Sequence, residues 1–214
     1  MKVKKFFIKY QNSFFYWILE RGLRDCDSVL DVGCGHSSAI GSIHRKFKSE
    51  GVDLHKETIE LSLKRKNHDT YKLADIRKLD RLYKKKSFDA CVAIDVVEHF
   101  DRKDALKLIK DMETIARKKV IILTPNGFYE QHDFDGNPHQ VHKSGWKEKQ
   151  LHRAGYKVWG LRGLKYLRND HAGIKYKPWL FWGACSFISE IVFFPFPSLS
   201  FDLYGVKELK KRKK

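Results

Sequence analysis

The sequence predicts an α/β protein with a doubly wound, mostly parallel sheet and helices on both faces. Apolar segments of strand length alternate along the chain with segments whose apolar residues recur at helical spacing. The strand segments are apolar at consecutive positions, as expected for parallel strands that helices cover on both sides. Acidic residues also stand where several of these strands end, which is where ligands bind in such folds.

The length and composition fit one domain that spans residues 1–214. Lysine and arginine number 43 against 26 acidic residues, which gives a net charge of +17 and favours anionic partners without choosing among them. The four cysteines form no close pair, which suits a reducing cytoplasm. Polar residues interrupt the apolar N-terminus and no cleavage site follows, so we expect a cytoplasmic protein without a secretion signal.

The first half of the chain predicts four strands and four helices. Residues 1–22 form an amphipathic helix that ends at Gly22. Strand "SVLDVG" then precedes a helix over 37–48, and strand "SEGVDL" precedes helix "ETIELSLKRK". A short strand near "YKLAD" and strand "FDACVAID" come next, followed by a helix over 102–117.

The second half begins with strand "KVIILTPN", after which residues 127–200 form the predicted acceptor region. This region holds a loop over 127–142, helix "SGWKEKQLHRAGY", strand "KVWGLR" and an apolar helix from Trp179 to Phe194. At about 24 Å the apolar helix is too short to cross a membrane. It could be a core helix, a lid over an apolar acceptor, or a surface that rests on a membrane beside the N-terminal helix. Strand "SLSFDLYGVK" closes the fold.

The stretch "VLDVGCGHSS" predicts a nucleotide-type ligand without phosphate. A P-loop would need a lysine that is absent here, and Ser38 stands where a dinucleotide turn has its third glycine. Asp31 is poorly matched to a pyrophosphate but suits a cationic ligand such as S-adenosylmethionine. At later strand ends, Asp53 can accept both ribose hydroxyls, and Asp75 can accept the adenine amino group while Ile76 packs on the ring. Asp95 borders the methionine moiety.

These motifs, with "GVDLHKETIELSLKR", "FDACVAIDVVEHF" and "VIILTPNG", resemble the ordered motifs of class I S-adenosylmethionine-dependent methyltransferases over residues 28–127. The resemblance implies a seven-stranded sheet whose last strand is antiparallel. It also implies S-adenosylmethionine as cofactor. The binding residues that we assign are Asp31, Gly33, Cys34, Gly35, Asp53, Leu54, Asp75, Ile76 and Asp95.

The acceptor is predicted to be a hydroxyl group of a small-molecule or lipid-linked compound. The chain lacks the motifs of amino-methylating DNA enzymes and of cytosine-C5 enzymes. Histidines gather instead around the predicted acceptor site, and "EHF" with a histidine four residues before a tryptophan resembles the quinone-biosynthesis O-methyltransferases. His139, His142 or His99 could take the hydroxyl proton, because imidazole titrates near neutral pH. Each could equally order the loop through backbone hydrogen bonds.

Two alternatives stay open. Asp95, Glu98, His99 and His142 resemble the E-x-x-E-H…H magnesium site of small-RNA 2′-O-methyltransferases, and the positive charge suits RNA. The favoured hypothesis assigns no metal to the site. The first alternative is therefore a different enzyme, a metal-assisted ribose methyltransferase. The other alternative is a methyltransferase-fold module that binds RNA or a membrane without turnover.

Overall fold

The computed structural model describes residues 13–44, 46–131, 140–169 and 172–209. Its centre is a seven-stranded sheet in the order β3-β2-β1-β4-β5-β7-β6. The strands are β1 Ser28–Val32, β2 Lys48–Asp53, β3 Thr70–Leu73, β4 Phe88–Ile94, β5 Ala116–Pro125, β6 Lys157–Leu164 and β7 Ser200–Glu208. β7 lies antiparallel between β5 and β6, and the pairs among β1 to β5 are parallel. The predicted doubly wound, seven-stranded sheet with an antiparallel last strand is therefore confirmed.

Helices cover both faces of this sheet. They are α1 Ser13–Leu23, α2 Lys56–Arg65, α3 Leu79–Leu82, α4 Arg102–Ile115, α5 Glu148–Arg153 and α6 Trp179–Phe193. Neighbouring residues of one strand point to opposite faces, so Val29 packs with α1 residues while Leu30 packs with α4 residues. This alternation explains why the strands are apolar at consecutive positions.

The predicted helix over 37–48 is wrong. The chain instead makes one 3-10 turn, Ala39–Ser42, which the Ser38 hydroxyl caps, and it is extended at Ile43. Gly41 packs so closely on Asn67 that a Cβ atom there would lie 2.3 Å from the Asn67 side-chain oxygen. A longer helix would have to displace this contact. The predicted helix over 144–156 is also shorter than expected, because only Glu148–Arg153 is α-helical.

The predicted apolar helix forms as α6, but it is not a core helix. Its large apolar side chains face solvent, and the buried positions of the helix are Gly183, Ser186, Ser189 and Glu190. The described part of the predicted N-terminal helix is α1, which buries Phe15, Leu19 and Leu23; residues 1–12 lie outside the described ranges. None of the helices in the described ranges has both the length and the hydropathy that crossing a bilayer requires.

Candidate functional site

The turn after β1 opens a cavity at the carboxyl ends of the strands. Gly33 and Gly35 have φ angles of +71° and +55°, which residues other than glycine rarely adopt. A Cβ on Gly33 would lie 2.8 Å from Val96. A Cβ on Gly35 would meet nothing within 4 Å, because that residue faces open space. The turn therefore forms a cradle whose inner side is left free for a ligand.

Asp31, at the end of β1, is buried beneath this turn. Its Oδ2 accepts a hydrogen bond from the Ser38 hydroxyl and lies 3.3 Å from Nε2 of buried His68. The neighbouring Gly33 amide is held by the Val52 carbonyl of β2 at 2.8 Å. The carboxylate thus fixes the turn from below while it also lines the cavity.

Asp53 ends β2, and backbone amides hold both of its oxygens. Oδ2 accepts from the Gly35 amide at 3.0 Å, and Oδ1 accepts from the His55 amide at 2.9 Å. Each carboxylate oxygen has two lone pairs, so both can still accept a further donor. The side chain is oriented in advance toward a ligand with two hydroxyl groups.

Asp75 follows β3 and also lines the cavity, next to buried Ile76. Arg77 binds the Asp75 carboxylate through two guanidinium nitrogens, and the Arg77 amide donates to Oδ1 at 3.0 Å. The Arg77 side chain is the main cause that lowers the pKa of Asp75. This partner was not anticipated from the sequence, and it occupies part of the carboxylate that we assigned to the ligand.

Asp95 follows β4 in a left-handed conformation, with φ at +52°. Its Oδ2 lies 3.4 Å from the Arg162 guanidinium, whereas its Oδ1 is buried and has no hydrogen-bond partner among the described residues. Arg162 also lies 3.0 Å from Asp202, which is fully buried. Burial raises the pKa of Asp202 to about 7, although Arg162 acts in the opposite direction.

All nine residues that we assigned to the cofactor line one cavity of about 350 Å³. The same cavity continues past the turn to a second group of residues that comes from the loop after β4, the first turn of α4 and the segment before α5. This group consists of His99, Phe100, Asp101, Asp104, Gln140 and Lys143. The sheet edge therefore carries two adjoining halves, one with the glycine turn and the strand-end acids, and one with His99.

Glu98, His99 and His142 form a cluster beside this second half. One ligand atom from each residue lies within 4.8 Å of the others. Nδ1 of His99 lies 3.3 Å from the Val141 carbonyl, and Nδ1 of His142 lies 2.8 Å from the Tyr129 carbonyl. A carbonyl oxygen only accepts, so each Nδ1 carries a proton, and Nε2 is the nitrogen that presents a lone pair when the imidazole is neutral.

Glu98 is the buried member of the cluster. Its Oε2 accepts from the Thr124 hydroxyl at 2.9 Å, and its Oε1 has no partner among the described residues. Burial raises the pKa of Glu98 well above its usual range, and the charge of Asp95 acts in the same direction. Burial, with the neighbouring His142, lowers the pKa of His99, which keeps that imidazole neutral.

The segment "HKSGW" holds His142 in place. The amides of Lys143 and Ser144 donate to the Glu98 carbonyl at 2.8 and 3.0 Å. A Cβ on Gly145 would lie 2.5 Å from the Phe128 amide, so the two backbones can approach only with glycine. Trp146 is buried below the Arg102 guanidinium, which lies 4.2 Å from its ring centroid. Sequence alone indicated His142 and Trp146, but not this anchoring.

His99 and His142 thus lie together, as the acceptor hypothesis expects, with their ring centroids 5.0 Å apart. His139, the third candidate base, lies outside the described residues. Sequence reasoning missed His68, Arg77 and Arg162. Their contacts with the strand-end acids are set by the tertiary fold, and no motif in the sequence indicated them.

Comparison with known proteins matches residues 30–124 to a family described as a methyltransferase domain. No protein of curated function matches the chain. The fold is similar to that of the methyltransferase domain of bacterial CtHen1 (CN), with a TM-score of 0.57, 20% identity, and coverage of 93% of this chain and 100% of that one. It is also similar to a SAM-dependent methyltransferase from Archaeoglobus fulgidus, at a TM-score of 0.54 and 16% identity, covering 94% and 99%. An O-methyltransferase family protein from Burkholderia thailandensis gives a TM-score of 0.53 and 14% identity, covering 69% and 51%.

Proposed function

We propose that this protein is an S-adenosylmethionine-dependent methyltransferase that transfers a methyl group to a hydroxyl. The observation that carries the proposal is one cavity in which the glycine turn and four strand-end acids adjoin His99, whose Nδ1 faces the Val141 carbonyl. The methyltransferase-domain match over 30–124 and the fold support S-adenosylmethionine as the cofactor.

The residues of the first half fit this cofactor. Asp53 would accept the ribose hydroxyls, and Ile76 would pack on adenine beside Asp75. Asp95 would face the ammonium group of the methionine end, because its buried Oδ1 lacks a partner that a cation would supply. The open side of Gly35 leaves room for the ligand, and Cys34 and Leu54 border it. When bound, the cofactor supplies an electrophilic methyl group on its sulfonium.

The second half would position the acceptor and take its proton. A hydroxyl in line with the methyl group is a better nucleophile when a base removes its proton. His99 lines the cavity, and its lowered pKa favours the neutral imidazole, whose Nε2 would accept the proton. His142 lies beside it and would share the role. A small-molecule or lipid-linked hydroxyl suits this site, in which Phe100 provides apolar surface.

A metal-assisted ribose methyltransferase is the second candidate, and the Glu98 cluster favours it. One nitrogen of each histidine and one carboxylate oxygen of Glu98 lie within 4.8 Å of one another, which is the composition of a divalent cation site. Oε1 of Glu98 also has no partner among the described residues. A cation would also stabilise the charged form of Glu98, which burial otherwise disfavours. In that case His99 and His142 would be ligands rather than bases, and the net charge of +17 would attract an RNA acceptor.

Calorimetric titration with S-adenosylhomocysteine, with and without Mn²⁺ or Mg²⁺, tests the proposal and separates the two candidates. We expect micromolar binding. Binding of Mn²⁺ that Glu98→Gln abolishes, and that the exposed control Glu57→Gln retains, would establish the metal candidate. Binding of S-adenosylhomocysteine without any binding of metal would leave the histidine base. If S-adenosylhomocysteine did not bind under either condition, the methyltransferase proposal would be wrong and a non-catalytic module would remain.

A further inference from the structure

Helix α6 presents its polar side to the protein and its apolar side to solvent. Ser186 is fully buried, whereas Ile188 is 61% exposed. We call the exposed side the α6 face; it consists of Trp179, Leu180, Phe181, Phe187, Ile188, Ile191 and Val192. With exposed Ala184, which bridges Leu180 and Ile188 at spacings of four, these residues form one continuous stripe along the helix. A helix that packs on a hydrophobic core would have the opposite orientation.

Specific polar contacts fix this orientation. The Ser186 hydroxyl accepts from the Arg168 guanidinium at 3.0 Å. The Ser189 hydroxyl accepts from the Leu164 amide, and the Glu190 carboxylate accepts from the Arg162 amide, both at 3.0 Å. Rotating α6 to bury its apolar side would break all three contacts and leave buried donors unsatisfied, at a cost of about 1–3 kcal/mol each. The α6 face is therefore held outward by the fold.

The exposed apolar surface extends beyond the helix. Phe196 and Leu199, which follow α6, are also exposed. Phe14 of α1 packs edge-on against Phe194, and exposed Trp17 stacks on Phe14. Exposed apolar side chains grouped in this way on a protein surface mark an interaction site.

Cationic side chains stand on aromatic rings next to this patch. Lys177 lies 5.5 Å from the ring centroid of Trp179, and Lys175 lies 5.8 Å from that of Tyr176. On α1, Arg21 lies 4.9 Å from the ring of Trp17. Residues 156–178, which precede the helix, contain four lysines against one acidic residue; Arg162 and Arg168 of this segment face the interior and do not count toward the surface charge. The combination of aromatic rings, apolar stripe and flanking cations is typical of helices that lie in a membrane interface.

We propose that the α6 face rests on an anionic membrane surface, with the helix axis parallel to the bilayer. The 15 residues of α6 extend about 22 Å, so the helix can lie in the headgroup region but cannot span the hydrocarbon core. The apolar stripe enters the interface, and the flanking lysines contact acidic headgroups. A second copy of the chain is a poorer occupant, because a two-fold contact through this face would bring the same cationic borders together.

Vesicle cosedimentation of the full chain tests this proposal. We expect binding to phosphatidylcholine vesicles that contain about one third phosphatidylglycerol, and weaker binding to phosphatidylcholine alone or at high salt. Ile188→Asp should weaken vesicle binding roughly tenfold or more, because a charge replaces a buried apolar group at the interface. The matched control is Leu106→Asp, an exposed leucine on α4 that should bind as the wild type does.

Two further measurements keep the result interpretable. Affinity for S-adenosylhomocysteine shows that each variant is folded, since α6 does not line the cavity. Lys175→Glu with Lys177→Glu should also release the protein from anionic vesicles, whereas Lys84→Glu with Lys85→Glu, on an exposed turn, should have a smaller effect. If the wild type bound no vesicles, or if Ile188→Asp changed only the oligomeric state in light scattering, the membrane proposal would be wrong.

Discussion

Asp53 is the residue on which recognition of the methyl donor depends most in our proposal. It joins the glycine turn to the start of α2, because the Gly35 and His55 amides both donate to its carboxylate. The same carboxylate would accept the two ribose hydroxyls. A side chain that is held by two amides loses little conformational entropy on binding, so its contacts contribute strongly to affinity.

Asp53→Ala should therefore weaken the binding of S-adenosylhomocysteine roughly tenfold to a hundredfold, since a hydrogen bond to a charged group is worth about 1.5–3 kcal/mol. Asp53→Asn should weaken it less, because one oxygen remains as an acceptor. Glu60→Ala, an exposed carboxylate on α2, is the matched control and should leave affinity unchanged. Calorimetric titration measures all three, and an unchanged affinity for Asp53→Ala would show that the ribose site lies elsewhere.

The segment from His142 to Trp146 illustrates how one element positions another. Its amides bind the Glu98 carbonyl and its tryptophan is buried, so His142 is brought to His99 although 42 residues separate their positions in the chain. Both candidate functions need the two histidines side by side, either as a pair of general bases or as ligands of a metal ion. The positioning depends on Gly145, which allows the backbone to approach Phe128 closely.

Gly145→Ala should lower the rate of methyl transfer, or the affinity for Mn²⁺, by roughly tenfold or more, because the new Cβ forces the segment and His142 away from His99. Affinity for S-adenosylhomocysteine should stay within about twofold, since the donor half of the cavity does not contact this glycine. Gly173→Ala is the control, because its Cβ would meet only the flexible Asn169 side chain at 3.2 Å. If Gly145→Ala lost affinity for S-adenosylhomocysteine to the same extent as it lost rate or Mn²⁺ affinity, the cause would be general unfolding and not displacement of the histidines.

At the scale of the whole molecule, the pattern of apolar residues and the acids at strand ends are enough to predict the sheet and the cavity. The local sequence pattern does not predict the length or orientation of an element where contacts with distant residues determine them. The sequence predicts a helix over 37–48, but the residues after Ser38 form only one 3-10 turn, in which Gly41 packs closely on the distant Asn67. Helix α6 is apolar enough to suggest a core position, but its polar side faces inward, where Glu190 accepts from the Arg162 amide and Ser186 accepts from the Arg168 guanidinium. Neither the contact of His68 with Asp31 nor the partner of Asp75 has a counterpart in any sequence motif.

The amino ends of the strands depend on a buried ionic contact that involves Asp89 of β4. Its carboxylate accepts from the Asp27 amide before β1 at 2.8 Å and binds Arg117 and Lys118 of β5 at 2.8 and 3.0 Å. Burial alone would raise the pKa of Asp89, but these donors outweigh it and lower the pKa to about 2. Asp89 thereby connects three central strands at the end of the sheet opposite the cavity.

The free energy of unfolding should consequently fall as the pH drops. Because the pKa of Asp89 is lower in the folded protein than in the unfolded chain, the unfolded chain takes up a proton at a higher pH. The stabilisation that Asp89 provides is therefore complete above about pH 4 and is lost as the pH falls through about 2. Asp89→Asn should reduce stability at neutral pH by about 1–3 kcal/mol and flatten the dependence between these pH values. Urea unfolding followed by circular dichroism across this range measures both effects. The exposed Asp80→Asn is the control, and a slope that Asp89→Asn leaves unchanged would mean that other carboxylates cause the loss of stability in acid.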